Sequence, residues 1–156
     1  MISDALRQLL RGGVSTMLGT RDAQLVPECA RAVGCVVHAD GRRLTLFLPQ
    51  ATAARSVANL RDNGQVAVTF SEVPTHRTRQ LKGRAVVVRE ATNAERAIME
   101  RYVEAFAKEL DIVGLPPSVS RRIAFLPAHA VEIEVTEVFD QTPGPGAGAR
   151  LAASEA

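Results

Sequence analysis

Tryptophan is absent from this 156-residue chain, which also contains only one tyrosine and five phenylalanines. Proteins that bind single-stranded nucleic acid stack bases on aromatic side chains, so a chain this poor in aromatics is not expected to be one. The formal net charge of +2 is too small to indicate a nucleic-acid or anionic-membrane partner. The longest apolar stretches, such as residues 32–37, reach about a third of the roughly 20 residues that a membrane-spanning helix needs. We therefore predict a soluble protein with no nucleic acid and no membrane among its partners.

Cysteine is also scarce. Cys29 and Cys35 have neither a second cysteine pair nor a nearby histidine with which to complete a zinc site, so no metal is expected. Residues 1–13 include Asp4 and Arg7 and lack the continuous apolar stretch of a signal peptide. With no export signal and no disulfide framework, we expect a cytoplasmic protein.

Alternation of apolar and polar residues predicts six strands. The clearest case has Leu44, Leu46 and Leu48 on one side of a strand and Thr45 and Phe47 on the other. The predicted strands are residues 14–20, 25–38, 42–48, 66–70, 78–89 and 131–139.

Four helical segments lie between or before these strands. Thr52 is the predicted N-cap of the second helix, which Gly64 ends, and Thr92 forms a capping box with Glu95 at the start of the third. The helices are residues 3–12, 52–63, 92–110 and 118–125. Hairpin-like strand spacing with inserted helices is typical of a mainly β protein with helices (α+β), and we predict a six-stranded antiparallel β-barrel with peripheral helices. No glycine-rich phosphate loop follows a strand, which argues against a Rossmann fold.

Composition changes after residue 140. Residues 141–148 read Gln-Thr-Pro-Gly-Pro-Gly-Ala-Gly, a segment that cannot supply a core. We predict one domain over residues 1–140 and a Gly/Pro/Ala-rich C-terminal tail over residues 141–156. The tail is either a disordered end or an arm that closes over the groove of a partner subunit.

The opening turn of the second predicted helix, residues 52–56, is suited to an anion. Unpaired amides and the positive helix end favour phosphate there, and Arg55 can add a bidentate contact. A capped surface helix with a solvated arginine has the same pattern, so both interpretations stay open.

A second candidate surface lies on the fifth predicted strand. Thr78, Gln80 and Lys82 share one face, which suits the edge of a flavin or nucleotide and equally suits a solvated strand. Gly83 indicates a bulge, or a close approach by another backbone or a ligand. The opposite face, toward the barrel, is predicted to carry Leu81, Ala85 and Val87.

No sequence motif indicates a catalytic nucleophile. His38, His76 and His129 are far apart in the chain, and each is predicted to be a surface or satisfied loop residue. If the protein is an enzyme, a cofactor carries the chemistry while the protein supplies binding and orientation.

The order of these elements resembles the pyridoxamine 5'-phosphate oxidase-like, FMN-binding split-barrel family over about residues 5–140. The tail is also similar to that of small members of the family. The matching segments are residues 14–20, 25–27, 55–60, 63–68 and 80–85. The resemblance implies a split barrel that forms a homodimer, with FMN in a groove at the dimer interface.

The resemblance also implies roles for single residues. Arg55 matches the arginine of the family's Ser-Arg-Lys phosphate motif, and Ser56 stands where the family has lysine. The flavin-edge glutamine corresponds to Gln80, or to Thr78 in an alternative alignment. The family's arginine and lysine on the second strand correspond to Ala30 and Cys35, or to Arg31 if the register shifts by one. The tryptophan and arginine motifs of pyridoxamine phosphate oxidases are absent, which favours another small-molecule substrate.

On this resemblance, the expected function is that of an FMN-binding flavoprotein, an oxidoreductase acting on an unidentified small molecule. Thr52, Arg55 and Ser56 would hold the phosphate, Thr78 and Gln80 the isoalloxazine edge, and Lys82 would help place negative charge near the reduced ring. The alternatives are a flavin-free binding or sensor protein, a haem protein with His76 or His129 as ligand, and a deazaflavin protein.

Overall fold

The computed structural model describes residues 2–152. Its α-helices are α1 (Asp4–Arg11), α2 (Gln50–Asn63), α3 (Arg96–Ile112) and α4 (Pro117–Ser120), and a 3₁₀ turn (Asn93–Glu95) leads into α3. Its strands are β1 (Ser15–Arg21), β2 (Pro27–Arg31), β3 (Cys35–Val37), β4 (Arg43–Pro49), β5 (Gln65–Ser71), β6 (Thr78–Glu90) and β7 (Ala128–Asp140). No helix among these described residues is long and apolar enough to span a membrane.

The strands form one antiparallel sheet in the order β2-β1-β5-β6-β7-β4-β3. The two edge strands, β2 and β3, follow each other in the chain. Between them, the amide of Ala32 donates to the Thr16 carbonyl of β1 (3.0 Å) and the amide of Val33 to the Phe47 carbonyl of β4 (2.8 Å). The sheet is therefore closed into a barrel, which confirms the predicted fold class.

The strand count differs from the prediction by one. Residues 25–38 are not a single strand, because the chain leaves β2 at Ala32 and re-enters the sheet as β3. Gly34 lies at this corner with φ +118°, a backbone conformation that L side chains rarely adopt. Sequence alternation did not reveal the corner because the residues on both sides of it are apolar.

Two hydrophobic clusters hold the fold together. The first fills the barrel, and alternation on β4 places Leu44, Leu46 and Leu48 in it, as predicted. The second lies outside the barrel, where α3 covers the other face of β4 at Phe47. Tyr102 of α3 donates its hydroxyl to the Val14 carbonyl at 2.9 Å, which ties the helix to the start of β1. Both clusters together bury most of the large apolar side chains of the domain.

Helix α2 begins earlier than predicted. Its first residue is Gln50, its N-cap is Pro49, and the Gln50 amide donates to the Pro127 carbonyl (2.8 Å). Thr52 is therefore not the N-cap but the third residue of the helix. The Gly64 terminator is confirmed, with φ +68°. The predicted helix at residues 118–125 is limited to α4.

Strand β6 contains two register shifts, between Lys82 and Gly83 and between Ala85 and Val87. The second shift breaks the alternation, so Val87 pairs with Glu132 and is 41% exposed. The prediction that Val87 faces the barrel is therefore wrong, and Val88 packs against the barrel core instead. Gly83 does mark a bulge with a close backbone approach.

The described part of the tail folds back on β7. The amide of Gly148 donates to the Asp140 carbonyl (2.7 Å), and the amide of Leu151 donates to the Val138 carbonyl (2.8 Å). The Leu151 side chain packs against the barrel core. Residues 153–156 of the predicted tail lie outside the described residues.

Replacing Gly83 by alanine is expected to destabilise the barrel by about 2–4 kcal/mol. A Cβ atom at Gly83 would clash with the Glu134 carbonyl oxygen, so the β6–β7 ladder would have to move apart. Urea denaturation measures the loss. Gly146→Ala is the matched control, since no atom lies within 4 Å of its Cβ position. Equal stabilities of the two variants would contradict this account of the bulge.

The capping box at the start of α3 is expected to make stability depend on pH. The hydrogen bond from Arg89, followed by those from Thr92, lowers the pKa of Glu95 from 4.5 to about 2. The stabilisation is therefore complete above the unfolded pKa of 4.5 and is lost as pH falls toward 2. Glu95→Gln should cost about 1 kcal/mol near pH 7. That difference from the native protein, measured by urea denaturation, should shrink as the pH is lowered below about 4, and a constant difference would refute the linkage.

Candidate functional site

Strand register places the three predicted residues of β6 on one side of the barrel wall. Residues directly opposite each other in an antiparallel pair point to the same face. The pairs are Thr78 with Ser71, Gln80 with Thr69 and Lys82 with Ala67 across β5 and β6, and Met17 with Thr69 and Gly19 with Ala67 across β1 and β5. We call the residues Met17, Gly19, Ala67, Thr69, Gln80 and Lys82 the outer face.

Side chains on the outer face differ in how free their polar groups are. The Nε2 of half-buried Gln80 donates to Thr69 Oγ1 at 3.3 Å, a long bond that leaves the amide oxygen available. Lys82 is exposed, and its Nζ lies 4.6 Å from the centroid of the Phe139 ring. Lys82 can therefore donate hydrogen bonds to a ligand, and Gln80 can accept one at its amide oxygen and donate one through the second N–H of Nε2.

Thr78 lies beside the outer face but is already engaged. It is 7% exposed, and its hydroxyl lies 2.9 Å from both Ser71 Oγ and the His76 carbonyl oxygen. Its amide donates to Thr142 Oγ1 at 3.1 Å. Thr78 thus holds the start of β6 against its neighbours.

The end of β7 is fixed to β6 by a charged contact. Arg79 Nη1 donates to Asp140 Oδ1 at 2.7 Å. Burial alone would raise the pKa of Asp140, but hydrogen bonds from Thr142 and the charge of Arg79 outweigh it and lower the pKa. The ionised pair keeps this end of the outer face in place.

Helix α2 carries the second candidate set and docks on the β1–β2 hairpin through side chains spaced four residues apart, which lie on one helix face. The contacts are Arg55 Nε to Glu28 Oε2 at 3.2 Å, Asn59 Nδ2 to Thr20 Oγ1 at 3.1 Å and Asn63 Nδ2 to the Arg21 carbonyl at 2.9 Å. Arg55 is thus the first member of a docking stripe.

The three residues predicted to hold a phosphate have different environments. Thr52 is exposed and the Arg55 side chain is 72% exposed. Ser56 is 1% exposed and points into the core, where its Oγ has no hydrogen-bond partner among the described residues. The first turn of α2 has no side-chain cap and no acidic residue, so its amides and Arg55 are what this corner offers to an anion.

Within one chain, the phosphate candidates on α2 and the residues of the outer face lie apart. Glu28 pairs with buried Thr20, so Arg55 and its neighbours lie on the α2 side of the hairpin, opposite to Gly19 of the outer face. Strand β6 is also three places from β2 in the sheet, which is roughly 14 Å at about 4.8 Å per strand.

Glu28 was not identified from the sequence. The usable signal was the β1–β2 hairpin, in which Arg21 pairs with Pro27 and Thr20 with Glu28. That register places Glu28 beside Thr20, but nothing local in the sequence places α2 against this hairpin.

The positions matched to the family's basic residues on the second strand contain no lysine. Ala30 is buried in the barrel core, and burial raises the pKa of the Cys35 thiol to about 12, so this thiol is inert near neutral pH. Arg31 donates from Nη1 to Ser15 Oγ at 3.2 Å, and its guanidinium lies 5.3 Å from the Phe106 ring centroid.

The three histidines lie in separate elements. His38 Nε2 is 2.8 Å from Thr45 Oγ1, and His76 is exposed in the β5–β6 loop with φ +59°. His129 of β7 has a buried Nδ1 with no hydrogen-bond partner among residues 2–152. Over the same residues, no three His, Cys, Asp or Glu side chains are grouped as a metal site.

A cleft of about 520 Å³ lies between α1, the β5–β6 loop and α3. Leu9, Gly13, Glu72, Arg77 and Glu109 are among the residues that line it, and none of the six predicted site residues does. A hydrogen bond from Thr75, followed by one from Arg77, lowers the pKa of Glu72, so this carboxylate is already satisfied. The cleft is separate from both candidate sets.

The donor chemistry can be compared with FMN. Gln80 and Lys82 fit the polar edge of a flavin ring, and the small residues Gly19 and Ala67 leave room for a planar group against the outer face. The phosphate would be held through Arg55 and the open first turn of α2. These residues fit FMN, with a single arginine at the phosphate.

The fold of this chain is similar to those of several solved structures. Among solved structures, HupZ of Group A Streptococcus superposes with a TM-score of 0.59 and 19% identity, covering 96% of this chain and 99% of HupZ. A Lactobacillus delbrueckii protein assigned provisionally as a pyridoxamine 5'-phosphate oxidase gives 0.55 and 18%, covering 88% and 92% of the two chains. A protein named F420 reductase gives 0.54 and 16%, covering 85% and 94%.

At these low identities, the superpositions show that the chains share a fold. No curated protein matches the chain in sequence. The family model described as pyridoxamine 5'-phosphate oxidase matches residues 2–142, and the chain therefore belongs to the pyridoxamine 5'-phosphate oxidase-like family.

Proposed function

We propose that this protein is an FMN-binding flavoprotein, an oxidoreductase that acts on a small molecule as a cytoplasmic homodimer. The observation that carries the proposal is the outer face, where Gln80 and Lys82 stand in register with the small residues Gly19 and Ala67. A flat floor edged by donors suits a planar, acceptor-rich ring.

Each site residue has a limited role in this proposal. When bound, FMN supplies the hydride chemistry that no protein side chain can provide. The Gln80 amide hydrogen-bonds the ring edge, and the exposed Lys82 ammonium lowers the cost of negative charge on that side of the site. Thr78 is a positioning residue, because its hydroxyl is held by Ser71 and the His76 carbonyl.

At the other end, Arg55 and the hydroxyl of Thr52 hold the phosphate beside the first turn of α2. Ser56 supports this turn from the core, where its side chain lies. No general acid or base is assigned to the protein.

The separation of the outer face from Arg55 supports the proposed homodimer. Because Arg55 and the outer face lie on opposite sides of the β1–β2 hairpin, a single ligand reaches both only if a second copy brings its own outer face to α2. In this proposal, the tail beyond β7 packs on its own domain and does not reach over the partner, since Leu151 packs on its own barrel.

Localisation in the cytoplasm agrees with the two cysteines, which are both free. Exposed Cys29 would be prone to oxidation in an export compartment.

Arg55→Ala is expected to weaken FMN binding by about tenfold or more, because a charge-assisted phosphate contact is lost. The full-length protein is incubated with FMN and desalted, its absorption is recorded from about 300 to 700 nm, and the dissociation constant is obtained by flavin fluorescence titration. Arg96→Ala, which also removes an exposed arginine from an ion pair, is the matched control and should bind FMN normally.

Unchanged FMN affinity in Arg55→Ala would refute the phosphate assignment. Failure of the native protein to bind FMN in the fluorescence titration, even at excess FMN, would refute the flavoprotein proposal. Titration with haem, read from a Soret band, and with a deazaflavin would then separate the remaining alternatives.

A further inference from the structure

The Glu28 carboxylate already pairs with the Arg55 guanidinium, the group that would bind a phosphate. Glu28 Oε2 lies 3.2 Å from Arg55 Nε, and the Glu28 side chain is 27% exposed. The position of Glu28 is fixed by the hairpin, because it pairs with Thr20, whose hydroxyl accepts a hydrogen bond from Asn59 of the same docking stripe. The backbone of Glu28 is therefore held beside the face of α2 that carries Arg55.

This carboxylate opposes a phosphate in two ways. It competes for the N–H groups of Arg55, and it offsets the positive charge with which this guanidinium would attract a dianion. Neither Lys82, which lies on the outer face, nor Ser56, which stands at the position of the family lysine, supplies a second cation beside Arg55 within one chain. The exposed ion pair contributes little to folding, so its effect should appear mainly in ligand binding.

We propose that Glu28 is a specificity-determining residue that makes the bound flavin exchangeable and reduces discrimination between FMN and unphosphorylated riboflavin. The proposal rests on the assignment of Arg55 to the phosphate under the proposed function. The native protein then behaves as a reversible flavin binder rather than as one with a resident cofactor.

The test compares FMN and riboflavin binding in the native full-length protein and in Glu28→Gln. Glutamine keeps the length of the side chain and removes its charge, and the other two contacts of the docking stripe, from Asn59 and Asn63, do not involve residue 28. Glu104→Gln is the matched control, because it removes the carboxylate of another exposed arginine pair and changes the net charge equally. Dissociation constants come from flavin fluorescence titrations, and thermal unfolding checks that each variant is folded. Glu28→Ala serves as the second variant.

Glu28→Gln is expected to tighten FMN binding about tenfold and leave riboflavin binding unchanged. Glu104→Gln should change neither. The gain should disappear in the double variant Glu28→Gln/Arg55→Ala, because the carboxylate acts through the guanidinium. Unchanged FMN affinity in Glu28→Gln, an equal gain for both flavins, or a gain that survives in the double variant would each overturn the role of Glu28 while leaving FMN binding intact.

If no variant binds either flavin, the proposed function fails and inorganic phosphate decides the role of Glu28. The probe is the Arg55 Nε–H resonance, followed by NMR as phosphate is added. A larger phosphate-dependent shift in Glu28→Gln than in the native protein would support competition at Arg55. Equal shifts would overturn it.

Discussion

The short segment from Ala32 to Gly34 is the constraint on which the rest of the structure depends. Its amides bond to β1 on one side and to β4 on the other, so the first and last strands of the sheet are consecutive in the chain. An open seven-stranded sheet would leave two unpaired edges and one exposed face. Closure instead creates an interior for Leu44, Leu46 and Leu48, and it holds the β1–β2 hairpin at the place where α2 docks.

The fold was predictable from the sequence wherever one face of an element alternated without interruption. Strand β4 and the capped start of α3 are such cases. Failures occurred where backbone contacts from distant residues decided the outcome. The hydrogen bond from the Gln50 amide to the Pro127 carbonyl sets the start of α2 ahead of Thr52. The second bulge of β6 reverses the orientation of Val87. Local patterns contain no information about such partners.

The candidate site divides in the same way. Gln80 and Lys82 precede both bulges, so simple alternation was sufficient to place them on a common face. Glu28 and Arg55 are brought together by a helix crossing a hairpin, and no local spacing relates them. The buried position of Ser56 likewise depends on which side of α2 meets the barrel. Sequence reasoning therefore found the residue types of the site more readily than the contacts that tune them.

The fold-back of residues 148–151 has a practical consequence for handling this protein. The Leu151 amide occupies a ladder position beside Val138, and Arg150 pairs with Phe139 in the same stretch. These contacts shield a length of β7 that β4 does not reach. If the chain were cut before Leu151 to attach a reporter domain or an affinity tag, this part of β7 would be open to edge-to-edge association with other chains. Junctions placed after Leu151 keep the native edge covered.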